Sequence, residues 1–212
     1  MDKTLTIVAD RNIPFLKEAL EGLGNAIYLP GDAITPEVMR DADILLTRTR
    51  TKCNSNLLDE SKCSFVGTAT IGTDHIDLDY CSSRGICVAN APGCNAPAVA
   101  QYVLAAIGRT LRPDETFADK TLGIIGVGNV GSILERWAKG LGMTVLLNDP
   151  PREEEGKDGK EYVGLDKIAR KCDVITVHTP LTRTGKHPTY HLINDSFLDK
   201  TEKRPMVINL SL

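Results

Sequence analysis

The 212-residue sequence predicts an α/β protein built from two doubly wound parallel-sheet domains, and three observations carry that expectation. Short β-branched runs alternate with helical periodicity from the start of the chain to about Asn90, the pattern of a parallel sheet covered on both faces. An apolar stretch, APGCNAPAVAQYVLAAIGRTLR, then separates this series from a second one. The second series opens on a glycine-rich junction between a strand and a helix, GIIGVGNVGS.

The first domain is expected over 1–90 and the second over 91–212. LTIVA, AIYL, DILLT, SFVGTA and ICVAN read as strands, and PFLKEALEGLG, TPEVMRDA, NSNLLDESK and IDLDYCSSRG as the helices between them. Pro14 and Pro36 suit first helical turns, where a missing N–H costs nothing, and Thr35 suits an N-cap. Asn95 can cap a helix running to about Leu111. Its apolar residues Val99, Tyr102, Val103, Ala105, Ala106 and Ile107 cover most of the circumference, so it is expected to be buried as the crossover between the domains. The strands of the second domain are expected near Leu122, Val145, Val174 and Val207, the last lying in MVINLSL at an uncovered edge.

Composition narrows the function classes. A net charge of -3 with scattered Lys and Arg argues against a nucleic-acid groove and leaves a small anionic ligand open. The six cysteines form no C-x-x-C pair, so reduced core thiols in a cytoplasmic protein are expected and a metal site is not. No apolar run approaches the roughly 18 residues of a membrane span, and MDKTLTIVAD lacks the apolar core of a signal peptide, so a soluble, unexported chain is expected.

Chemistry concentrates at Gly126, Gly128 and Gly131, a Gly-x-Gly-x-x-Gly spacing between a strand and a helix. The first glycine allows the tight turn, the second lets a pyrophosphate approach the backbone, and the third permits close packing of helix on strand. Free amides at Asn129, Val130 and Gly131 and the positive end of the helix would then hold phosphates. That helix sets Ile133, Leu134, Trp137 and Leu141 on one face and Glu135, Arg136 and Lys139 on another. TVLLND ends in Asp149, at the spacing where a carboxylate takes ribose hydroxyls, which favours NAD over NADP. Arg152 lies beyond two prolines in an expected loop, and REEEGKDGKE reads as solvated. CDVITVHTPL gives a further strand, Asp173 to His178, opening on Thr179 and Pro180 as cofactor contacts. His178 reads as a hydrogen-bonded residue at a strand end or as part of the site.

FVGTATIGTDHID, APGCNA, GVGNVG, DPPR and HTPLTRTGKHPTYHL together resemble the D-2-hydroxyacid dehydrogenase family over nearly the whole chain. The resemblance implies a flavodoxin-like substrate-binding lobe, an incomplete Rossmann NAD domain, NAD as cofactor and a small phosphorylated 2-hydroxy acid as substrate, acting as a homodimer. It implies substrate contacts at Thr49, where the family has serine, and at Thr70, with cofactor contacts at Asp149 and Thr179. Arg48, beside Thr49, is added as a cation for the anionic substrate. His75 is tempting as a base, but the resemblance sets it in a structural turn. The family's substrate arginine aligns with Leu212, and its catalytic glutamate and histidine fall later still. The chain is therefore expected to be the N-terminal part of a longer enzyme and inactive alone. A member acting on another acid, such as 3-phosphoglycerate, and a non-catalytic NAD-binding module are the alternatives.

Overall fold

The computed structural model describes residues 4–210, and the chain divides into two compact units, Met1–Cys94 and Asn95–Leu212. In the first, β1 (Thr6–Asp10), α1 (Leu16–Ala19), β2 (Asn25–Leu29), α2 (Pro36–Met39), β3 (Ile44–Thr47), α3 (Ser55–Leu58), β4 (Phe65–Thr68), α4 (Leu78–Ser83) and β5 (Cys87–Ala89) alternate along the chain. All strand pairs are parallel, in the order β2-β1-β3-β4-β5, the doubly wound arrangement of flavodoxin-like sheets. Successive residues of β1 point to opposite faces and both faces are buried. Val8 joins Leu45, Val66, Met39 and Leu58 on one side, while Ile7 and Ala9 join Leu20 on the other. This two-sided burial is why the strands read as continuous apolar runs rather than alternating ones.

The helices of this unit are shorter than their periodicity suggests. Pro14 does not open one: Phe15 follows at a φ of 58° and is 83% exposed, and α1 starts only at Leu16. Thr35 and Pro36 take the N-cap and N1 positions of α2.

The second unit contains α5 (Ala96–Thr110), β6 (Thr121–Ile125), α6 (Asn129–Gly140), β7 (Thr144–Asn148), α7 (Pro150–Glu155), α8 (Leu165–Lys171), β8 (Val174–Val177), α9 (Asp195–Leu198) and β9 (Met206–Asn209). Its parallel sheet has the order β7-β6-β8-β9, so β6 carries neighbours that precede and follow a crossover. The open side beyond its carboxyl end is where ligands bind in such sheets.

Three expectations are corrected here. Helix α5 is not buried all round: Ala100, Val103 and Ile107 pack into a core with Leu122, Leu134 and Val174, while Tyr102 is 62% exposed. One stripe at helical spacing is enough to dock it, with Leu104 and Ala106 packed partly against the same core. Glu135 on α6 is buried and Leu141, the residue that follows the helix, is exposed, against expectation, while Leu134 is buried and Arg136 and Lys139 are exposed as expected. Lys139 at 2.8 Å and Lys160 at 2.5 Å from the Glu135 carboxylate neutralise it as the 156–163 segment folds back over the helix. The segment after Asp149 opens as α7, so Arg152 is helical rather than in a loop.

All six cysteines are free, four of them buried, and burial pushes the Cys53 and Cys172 thiols up to about 12. No helix among the described residues is long and apolar enough to cross a membrane. The position read as the family's substrate arginine, Leu212, lies outside the described residues.

Candidate functional site

The β6–α6 junction shows three glycines with three different surroundings. Gly126 has a φ of +89°, and a Cβ there would sit 2.8 Å from the His178 carbonyl. Its own N–H donates to Asn148 O at 2.9 Å, tying the turn to the end of β7. A Cβ on Gly131 would lie 2.2 Å from Gly126 O, a contact that lets helix and strand meet only without a side chain. A Cβ on Gly128 would meet nothing within 4 Å. The glycine with no packing reason therefore faces open space, where a ligand can approach its backbone.

Helix α6 begins at this open position with Gly128 as its N-cap and no side-chain cap. The amides of Asn129, Val130 and Gly131 have no backbone acceptor among the described residues, as expected of a first helical turn. Ser132 Oγ donates to Val127 O at 2.9 Å and holds the turn from inside. Orphan amides at the positive end of a 12-residue helix form an anion cradle.

Asp149 closes the adjacent side. Its Oδ2 accepts the Val127 N–H at 2.7 Å, and its Oδ1 accepts the Arg152 N–H at 3.2 Å as the N-cap of α7. A carboxylate cannot donate, so it offers its remaining lone pairs to hydroxyls and repels phosphate. On the other side, β8 ends against the turn, and Thr179 Cγ2 would be 3.0 Å from a Cβ on Gly126. Thr179, Pro180 and Leu181 continue into a cleft of about 310 Å³ that also touches Tyr190 and Asn209. The His178 ring is engaged along its own strand: its Nε2 lies 2.7 Å from Thr176 Oγ1, and burial pushes its pKa down to about 4.

Gly126, Gly128, Asn129, Val130, Gly131, Asp149 and Thr179 are thus brought to the carboxyl end of one sheet. The donor set fits a dinucleotide, with amides for a pyrophosphate and a carboxylate for ribose hydroxyls. Sequence reasoning missed that the Val127 amide grips Asp149, and that Arg152 Nε comes within 4.0 Å of Asp149 Oδ2. The Asp-Pro-Pro run was the available signal for the second feature, since prolines are favoured at N1 of a helix.

In the first unit, Arg48 and Thr49 follow β3 and Thr70 follows β4, on neighbouring strands. Thr49 is exposed. Arg48 Nη1 donates to Asn12 O at 3.2 Å, reaching across to the segment after β1. Thr70 Oγ1 is 2.7 Å from Thr68 Oγ1 and bonds Gly72 O at 2.8 Å. His75 Nε2 lies 3.1 Å from the same Thr68 hydroxyl, and burial lowers its pKa. The His75 carbonyl accepts from Cys53 N–H at 2.8 Å, which pins its turn to the core.

Residues 100–211 match the family described as D-isomer specific 2-hydroxyacid dehydrogenase, NAD binding domain. The chain is 50% identical over 214 residues to an erythronate-4-phosphate dehydrogenase of Bacteroides thetaiotaomicron, covering 98% of this chain and 60% of that protein. It therefore spans less than two thirds of that relative's length. Among solved structures it is similar to D-lactate dehydrogenase of Aquifex aeolicus complexed with NAD and lactic acid, at 26% identity and a TM-score of 0.70 over 97% of this chain and 68% of that one. It is also similar to NAD⁺-bound 3-phosphoglycerate dehydrogenase of Entamoeba histolytica, at 25% identity and a TM-score of 0.73 over 98% and 72%. The match spans just over half of the chain and includes the glycine turn, Asp149 and Thr179: this chain belongs to the D-isomer specific 2-hydroxyacid dehydrogenase family, and residues 100–211 are its NAD-binding part.

Proposed function

We propose that the chain is part of an enzyme that oxidises 4-phospho-D-erythronate at C2 with NAD, a reaction of vitamin B6 synthesis. The observation that carries the substrate assignment is the 50% identity, over 98% of this chain, to an erythronate-4-phosphate dehydrogenase. The cofactor half has its own support in the Asp149 carboxylate held 2.7 Å from the Val127 amide beside an open Gly128. In this reading residues 1–90 bind substrate, residues 91–212 bind NAD, and the working enzyme is a cytoplasmic homodimer.

When bound, NAD accepts the hydride that leaves C2 of the substrate. The amides of Asn129, Val130 and Gly131 would hold its pyrophosphate, Asp149 would accept hydrogen bonds from its ribose hydroxyls, and Thr179 lies against the same turn. Thr49 and Thr70 supply hydroxyls to the substrate. Arg48 pairs with no carboxylate among the described residues, and its remaining N–H groups suit a phosphate or carboxylate. No described histidine suits the general base. His75 and His178 give their Nε2 atoms to threonine hydroxyls, His187 is 2.8 Å from Glu154, and His191 stacks on Tyr190. The 212 residues alone are therefore expected to bind NAD without turning substrate over.

Calorimetry with NAD on the chain and on Asp149→Ala tests the cofactor half, and binding that survives in the variant would overturn it. NADH formation by a protein of the relatives' full length decides the substrate. Faster turnover of 3-phosphoglycerate than of 4-phosphoerythronate would reassign it, and no turnover of either acid would favour a binding module.

A further inference from the structure

We propose that Asp158 determines which dinucleotide the site accepts, by holding the Arg152 guanidinium between two carboxylates. The inference rests on the NAD reading and goes beyond the single acidic residue that reading uses. Arg152 stands in the first turn of α7 with Nε 4.0 Å from Asp149 Oδ2, within ion-pair reach of the group that takes the ribose. A 2′-phosphate on that ribose would meet the same guanidinium, which is how an arginine near this position accommodates NADP. Asp149 by itself is therefore an incomplete barrier to NADP.

Asp158 completes it. Its Oδ2 lies 3.8 Å from Arg152 Nη1, a different nitrogen of the guanidinium from the one nearest Asp149. Asp158 is itself fixed: the Lys160 N–H donates to Oδ1 at 3.1 Å and the Tyr162 hydroxyl donates to Oδ2 at 2.5 Å. Lys160 reaches 2.5 Å to the buried Glu135, which staples the segment to α6. The hydrogen bond from Tyr162 holds the Asp158 carboxyl below its usual range, so it is ionised at neutral pH. Asp149 and Asp158 share one guanidinium, and Lys160, the other cation acting on Asp158, is taken by Glu135, so Arg152 meets a phosphate of roughly -1.5 to -2 already neutralised. Without Asp158 the local charge is balanced and Arg152 is free to turn toward the ribose.

The test is titration of the purified chain with NAD and with NADP, for the wild type, Asp158→Asn, and Asp158→Asn combined with Arg152→Ala. The ratio of the NADP to the NAD dissociation constant should fall about tenfold or more in Asp158→Asn, from release of the guanidinium that Asp158 holds at 3.8 Å. The double variant should regain the wild-type ratio, and the gain in the single variant should shrink at high salt. A loop that merely unfolded would weaken both dinucleotides together and leave the ratio where it was. An unchanged ratio with NAD still bound overturns the proposal, as does a fall that persists without Arg152. If the wild type binds neither dinucleotide, the cofactor reading fails first and this proposal fails with it.

Discussion

Gly128 and Gly131 are three residues apart in one turn, yet the structure gives them opposite reasons for being glycine, and a pair of alanine variants separates the two. In Gly131→Ala the new Cβ lies 2.2 Å from Gly126 O and 3.1 Å from Gly126 C, both backbone atoms, and 3.2 Å from Ile124 Cγ2. The struck carbonyl belongs to a turn anchored by Gly126 N–H to Asn148 O at 2.9 Å, so it cannot swing away alone. Overpacking costs about 1–3 kcal/mol and more where backbone must move, while replacing a helical glycine by alanine returns about 1 kcal/mol. The net loss should be about 2 kcal/mol, or about 5–10 °C in Tm for a unit of this size. In Gly128→Ala the Cβ meets nothing within 4 Å. It costs at most about 1 kcal/mol, from the poorer N-cap, but it projects into the space that a pyrophosphate needs. Differential scanning calorimetry and NAD titration on the two proteins give the comparison. Gly131→Ala should lose Tm well beyond Gly128→Ala, and Gly128→Ala should lose NAD binding while remaining folded. A fully stable Gly131→Ala, or a Gly128→Ala that binds NAD as the wild type does, would refute the assignment of roles.

Other consequences follow from burial and charge. Burial pushes the Glu135 carboxyl up, but hydrogen bonds from Lys139 and Lys160 outweigh it and its pKa is lowered overall. Its stabilisation is therefore present above the unfolded carboxylate value of about 4.3 and fades as the pH drops through the folded value. Glu135→Gln should cost about 1–2 kcal/mol at neutral pH, less than a fully buried pair because both lysines reach solvent, and the Tm gap to the wild type should close in acid. A gap that stays constant across that range would mean that the carboxylate charge is not what the lysines hold. His178, pushed down to about 4 from 6.5 by burial, works in the same direction. The unfolded chain takes up a proton first as the pH falls, so stability is complete above about 6.5 and is lost between there and about 4, by at most about 3 kcal/mol. His178→Gln should flatten this limb of a denaturation-against-pH curve, and an NMR titration should show the His178 ring unprotonated at pH 6. Protonation of that ring near pH 6.5 would be the contrary result.

The two parallel sheets and the glycine turn were legible in the sequence because their signals are local. β-branched runs buried on both faces read as strands wherever they fall, and β1, β3, β4, β6 and β8 lie within a residue or so of their runs. A glycine at positive φ, as at Gly126, needs only its neighbours to be recognised. The Asp149 spacing was legible for the same reason, since strand and turn lengths set it. Fixed length and periodicity carry no information about which distant segment folds back.

That is where the tertiary structure decided. Glu135 looked solvent-facing by helical spacing, and only Lys160, 25 residues later, makes its burial tolerable. Arg152 looked like a stray loop charge, and only the return of Asp158 sets it between two carboxylates. Helix α5 looked apolar over most of its circumference, but only one stripe, Ala100, Val103 and Ile107, is fully buried in the core and Tyr102 is left outside. The sequence by itself determined the strand and helix alternation, the turn and the residues that could line a dinucleotide cleft, because backbone geometry and burial pattern are written residue by residue. The tertiary structure alone decided which charges meet, because electrostatic pairing depends on distances across space that no spacing along the chain records.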